Sequence, residues 1–187
     1  MFIDPIAHHA TRQPHAIAAS LPSADITYAR FDATINAIAN ELRGKVPRGS
    51  RVVLMVGSHY LHWALIFAVG RLGGISVSTD PSKHAQVLDL IKPDVILSET
   101  AFTSPWQDRV VAVDVAWLRE RAENGDTKPL ADLPGLDAPA RISLSSGTTG
   151  TPKMLLFTHG QIQRRLKSGG FGDLGRFHER LLCILGL

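Results

Sequence analysis

The sequence predicts an α/β fold, a mostly parallel sheet flanked by helices. Three observations carry that expectation. Arg51 to Val56 is a near-continuous apolar run, the pattern of a strand buried on both faces. A helical pattern from His59 to Leu72, the pair Gly73-Gly74 and a second apolar run, Ile75 to Ser78, follow it. Such a strand–helix–strand unit favours parallel pairing through a crossover. Beyond it, the short runs Val95–Ser98 and Val110–Val113 alternate with helical segments.

In chain order, residues 3–12 are expected as a short helix, with Asp4 as N-cap and Pro5 at the first helical position, where a missing N–H costs nothing. Pro14 closes it. Ala16–Ser20 reads as a strand, Leu21 to Asp25 as a turn, and Ile26 as a brief continuation. Thr27 can then cap a helix from Tyr28 to Arg43, with Phe31, Ile35, Ile38 and Leu42 on one face and Gly44 as its stop. In the helix from His59, the apolar face is expected at Trp63, Ile66, Phe67 and Gly70. Asp80-Pro81 is a turn, Ser82 caps a helix through Ile91, and a helix runs from Asp114 to Ala122. Residues 123–139 hold three prolines, two glycines and several charges without a period, so they read as a surface linker between units 1–122 and 140–187. Gly160–Lys167 is expected to be helical, 168–175 a glycine-rich connector, and Arg180–Leu185 a last strand.

With 187 residues and 44% hydrophobic content the chain suits a globular core. Twenty basic against seventeen acidic residues leave a net charge of +3, spread without basic–aromatic interleaving, which gives no reason to expect nucleic acid. The single cysteine, Cys183, lies in an apolar run and makes no internal disulfide. No leader pattern opens the chain, and the apolar stretch Val52–Val69 is broken by Gly57, Ser58, His59 and His62, so neither a secretory signal nor a membrane span is expected and the cytoplasm is the default. The histidines His8, His9, His15, His59, His62, His84 and His178 lack metal-ligand spacing, and surface or helix-face positions are expected for them, with no metal site.

The stretch with chemistry in it is Ser145-Ser-Gly-Thr-Thr-Gly-Thr-Pro-Lys153. Apolar runs flank it, Ile142 and Leu144 before and Met154 to Phe157 after, both read as strands. Glycine lets backbone N–H groups turn inward and approach a ligand; successive inward N–H groups make an anion nest. The hydroxyls of Ser145, Ser146, Thr148, Thr149 and Thr151 add donors, Lys153 adds a full positive charge, and no acidic residue opposes them. That set suits a polyphosphate. It differs from the Walker loop, because only two residues separate Gly147 from Gly150 and Pro152 precedes the lysine. Pro152 also biases Thr151 to an extended conformation, so the loop is expected to leave into a strand rather than a helix.

The nine residues 145–153, with the apolar run and Thr158-His159 after them, resemble the phosphate-binding signature of the adenylate-forming enzymes: acyl- and aryl-CoA synthetases, peptide-synthetase adenylation domains and luciferases. Ile26-Thr27-Tyr28 and Gly70–Pro81 are similar to two earlier motifs of that superfamily, in the same order. Met154 stands where the family often has glycine, and His159 is read as a cap or loop-positioning group rather than a base. The resemblance covers essentially the whole chain as the N-terminal part of the large domain of a longer enzyme. It implies ATP with Mg²⁺, a carboxylic acid substrate and coenzyme A as acyl acceptor. Ser145, Ser146, Gly147, Thr148, Thr149, Gly150, Thr151, Pro152 and Lys153 would hold the β- and γ-phosphates, with Lys153 the catalytic cation. On that reading the chain stops mid-strand, lacks the adenine, ribose and acyl pockets, and is inactive alone. A peptide-synthetase adenylation domain, or a non-catalytic nucleotide- or phosphate-binding module using the same loop, are the alternatives.

Overall fold

A computed structural model describes residues 4–22, 24–79, 84–101, 104–145 and 153–168. Helix α1 (Pro5–Arg12) begins as expected: the Asp4 carboxylate accepts from the N–H groups of Ile6 and Ala7. Strands β1 (Ile17–Leu21) and β2 (Ala24–Thr27) form a small antiparallel ribbon of their own. Thr27 caps helix α2 (Tyr28–Leu42) by accepting from Arg30 N–H, and Phe31, Ile35, Ile38 and Leu42 are all buried.

The main sheet contains β3 (Arg51–Met55), β4 (Ile75–Ser78), β5 (Val95–Ser98), β6 (Val110–Ala112), β7 (Pro139–Ser145) and β8 (Lys153–Thr158), in the spatial order β6-β5-β3-β4-β7-β8. Every pairing is parallel except β7–β8. Helices α3 (His59–Leu72), α4 (His84–Ile91), α5 (Val115–Asn124) and α6 (His159–Ser168), with a 3-10 turn at Gln107–Arg109, complete the described elements.

Strand β3 shows why its run is apolar throughout. Val52 and Leu54 pack with α2 and α3 on one side, while Val53 and Met55 pack with Val87, Leu88 and Ile91 of α4 on the other. Helix α3 ends at Gly73, whose φ of 76° is the left-handed cap geometry that glycine adopts without Cβ strain. Its buried face is turned from the expected one. Leu61, His62, Ala64, Leu65, Ala68, Val69 and Leu72 are buried, as is Gly70 of the expected set, whereas Trp63, Ile66 and Phe67 are only half-buried. Trp63, Ile66 and Phe67 still pack against the edge of the same core, which is why an apolar period alone could not choose between two nearly equal faces.

Helix α5 runs to Asn124, two residues into the segment read as linker. The stretch after it is fastened to the domain: Asn40 Nδ2 donates to the carbonyls of Asp126 (2.7 Å) and Lys128 (2.9 Å), and Arg48 binds Asp132 at 2.8 Å. Three expectations, the Asp80-Pro81 turn, the Ser82 cap and the segments beyond 168, lie outside the described residues.

Candidate functional site: the strand-closed hairpin

The two arms of the β7–β8 hairpin are in register from Arg141 opposite Phe157 to Ser145 opposite Lys153. Seven residues, 146–152, therefore connect a closed pair, more than a simple hairpin turn uses. Of the expected site residues only Ser145 and Lys153 are described; Ser146, Gly147, Thr148, Thr149, Gly150, Thr151 and Pro152 lie outside the described residues. Ser145 Oγ lies 3.5 Å from the carbonyl of Lys153, and Lys153 itself is exposed. Lys153 is the first residue of β8, so the chain does leave the loop as a strand. Met154 fits that strand without difficulty, since extended backbone accepts any side chain. With β7 parallel to β4, the hairpin mouth sits at the carboxyl edge of the parallel sheet, where open α/β sheets bind ligands.

Below the mouth, a polar seam joins β4 to β7. Arg141 Nη2 donates to Ser78 Oγ (2.8 Å), its Nη1 reaches Ser76 Oγ (3.5 Å), and Ser76 Oγ donates to the Ala140 carbonyl (3.3 Å). His62 Nε2 lies 2.6 Å from the same Ser78 hydroxyl. Arginine can only donate, so Ser78 Oγ accepts from Arg141 and shares a second hydrogen bond with His62 Nε2. Burial, then the Arg141 and His59 charges, lower the His62 pKa to about 4, holding the ring neutral. Burial also lowers that of Arg141. Of the surface or helix-face positions expected for it, His62 takes the second, on a face of α3 turned inward, where it is 2% exposed. Its place in line with Leu65, Val69 and Leu72 was the signal available in the sequence.

Past the hairpin, Thr158 and Gln161 form a reciprocal capping box: Gln161 N–H donates to Thr158 Oγ1 and Thr158 N–H to Gln161 Oε1. The cap of α6 is thus Thr158, not His159, and the Thr-x-x-Gln spacing was legible. His159 is buried at the start of α6 beside Gly70, with its pKa lowered by burial against an opposing pull from Asp4. Its N–H donates to the Ala138 carbonyl and that of Gly160 to Leu136, so the strap preceding β7 also fixes the return arm. A Cβ on Gly160 would stand 3.1 Å from the Leu136 oxygen, which accounts for glycine there. Arg164 and Arg165 are exposed, as a solvated helix face requires.

Among the described residues no cluster of three His, Cys, Asp or Glu side chains could hold a metal ion, and no helix is long and apolar enough to cross a membrane. A cleft of about 560 Å³, lined by Arg43, Arg48, Leu72, Lys128 and Leu130 among others, borders the C-terminal ends of α2 and α3 and includes no hairpin residue.

An open parallel sheet that hands a hydroxyl-rich loop to a returning antiparallel strand is the α/β architecture expected of the adenylate-forming class. Residues 6–187 match the family model described as AMP-binding enzyme, and the chain belongs to that family. It is 30% identical over 159 residues to feruloyl-CoA synthase of an Amycolatopsis species, covering 82% of this chain and 32% of that one. It is likewise 30% identical over 177 residues to a linear gramicidin synthase polypeptide of Brevibacillus parabrevis, covering 88% of this chain and 2% of the relative. The chain thus spans a third or less of these relatives. In fold it superposes on the inhibitor-bound N-terminal domain of FACL13 from Mycobacterium tuberculosis with a TM-score of 0.71, at 24% identity, over 82% of this chain and 43% of that domain.

Proposed function

We propose that this chain supplies the ATP-tail site of a ligase that activates a carboxylic acid as its acyl-adenylate and passes the acyl group to coenzyme A. A carboxylate oxygen attacks the α-phosphorus, the bond to the bridging oxygen breaks, and pyrophosphate leaves with both electrons of that bond. The first step forms no covalent enzyme intermediate, so this chain's residues act by holding and neutralising the departing phosphates. Ser145, Ser146, Thr148, Thr149 and Thr151 and the amides of Gly147 and Gly150 are the donors. Lys153 is the compensating cation, and Mg²⁺ carried in with the nucleotide would neutralise further phosphate charge. The observation behind this reading is the seven-residue, acid-free loop held between the paired ends Ser145 and Lys153 at the carboxyl edge of the sheet. The donor set suits a polyanion: hydroxyls, amides and one exposed ammonium, with no carboxylate between them.

Coenzyme A as acceptor draws support from the likeness to feruloyl-CoA synthase. The equal identity to a gramicidin synthase polypeptide supports a second acceptor, the thiol of a peptidyl carrier. In the enzyme that carries this chain, Lys153→Ala should slow ATP–pyrophosphate exchange by about 10²–10³-fold, the loss typical of one oxyanion donor. Unchanged exchange rules out the proposed role of the loop. Thioester formation with free coenzyme A, set against transfer to a carrier protein, decides the acceptor.

A further inference from the structure

The hairpin is strongly paired within itself and weakly paired to the sheet. Strand β7 meets β8 at six register positions but meets β4 at only two, Ser76 with Arg141 and Val77 with Ile142. A loop whose amides must sit at hydrogen-bond distance from phosphate oxygens cannot tolerate a hinge at its root. The rest of the connection is made by side chains. Ser76 binds the Ala140 carbonyl, and the Arg141 guanidinium bridges from its own register position to Ser78, two residues nearer the carboxyl edge. His62 of α3 closes the chain from behind Ser78. Among the described residues Arg141 bonds two serine hydroxyls and no carboxylate, so its half-buried charge serves a neutral joint rather than an ion pair. Ser145 stands four residues further along β7, about 13 Å at roughly 3.3 Å per residue. Arg141 therefore acts on the loop through the strand.

We propose that Arg141, Ser78 and His62 are positioning residues: a joint between α3, β4 and β7 that fixes where the hairpin holds its phosphate-binding loop. The inference rests on the reading of residues 145–153 as an ATP-tail site. The test is calorimetric titration of Mg·ATP and Mg·pyrophosphate into the full chain and into Ser78→Ala, Arg141→Met, Arg141→Lys, Lys153→Ala and the double variant Arg141→Met/Lys153→Ala. Thermal melts report folding, and Ser78→Ala carries the test should Arg141→Met fail to fold. Loss of a residue that orients a metal ligand typically costs 10–100-fold in metal affinity; by the same logic of positioning, Ser78→Ala and Arg141→Met should each weaken binding about tenfold. Arg141→Lys, which keeps one donor to Ser78, should restore part of it. The double variant should lose less than the product of the two single losses, because both act on one loop. Strictly multiplicative losses make Arg141 an independent ligand and overturn the joint. So does unchanged affinity in Ser78→Ala and Arg141→Met while Lys153→Ala binds weakly. If Lys153→Ala binds as the parent does, the loop reading fails first and takes the joint with it.

Discussion

His62 shows how one buried side chain acquires a function in stability. The ring is enclosed between α3 and β4 with Ser78 on Nε2 and the Arg141 charge close by, so its charged form is disfavoured in the folded chain. The unfolded chain titrates near the ordinary value of 6.5, the folded one at about 4. Between those values the unfolded state binds the extra proton, so this contribution is complete above pH 6.5 and is lost as the pH falls to 4. The loss amounts to about 3 kcal/mol at most. His159 moves the same way for the same reason. His62→Gln keeps a polar group against Ser78 and removes the titration. Urea melts from about pH 7 to about pH 4 should therefore show a shallower decline in the variant than in the parent, and parallel curves would mean His62 is not held neutral.

At the scale of elements, helix α5 lies tightly against α2 at its C-terminal end. Gly125 ends α5 with an ordinary negative φ of −74°, so conformational freedom is not the reason for glycine there. Space is: a Cβ would stand 2.5 Å from the Arg121 carbonyl oxygen and 2.6 Å from Ala37 Cβ on α2. Gly125→Ala must push α5 away from α2 or tear its last turn, and should cost about 1–3 kcal/mol, read as a fall in urea midpoint at unchanged slope. Among the described residues strand β8 is fastened on one side only. As the sheet's last strand it leaves Met154, Leu155 and Leu156 each more than two-fifths exposed, on both of its faces.

Across the whole molecule, Arg71 does what no backbone pairing does. Its guanidinium, 3% exposed, binds Asp4 before α1 at 2.7 Å, and Asp32 and Asn36 of α2 at 2.5 Å each, tying three helices at one buried point. Replacing such a cluster whole with apolar groups can be neutral, but removing one member strands the others. Arg71→Met leaves the Asp4 and Asp32 carboxylates uncompensated and should cost about 3–5 kcal/mol. Because Asp4 is also the α1 cap, proteolysis at the N-terminus should accelerate in the same variant; an unchanged melting curve and digestion pattern would refute the cluster's role.

Whatever short-range physics controls could be read from the residues directly. Asp4, Thr27 and Asp114 cap the helices they precede, because a cap needs only its own next three residues. The apolar run at β3 declared a strand covered on both faces, and Pro152 declared that the loop would leave as a strand. The family itself was legible in nine consecutive residues. Assembly of the elements was needed to decide which face of α3 turns inward, that His62 meets Ser78 sixteen residues away, and that Arg141 reaches the same hydroxyl across sixty-three. It also decided that the carbonyls of Asp126 and Lys128 meet Asn40 of α2 and that Asp132 meets Arg48. Those outcomes depend on which surfaces compete for burial once the elements meet, and no local window of sequence contains that competition.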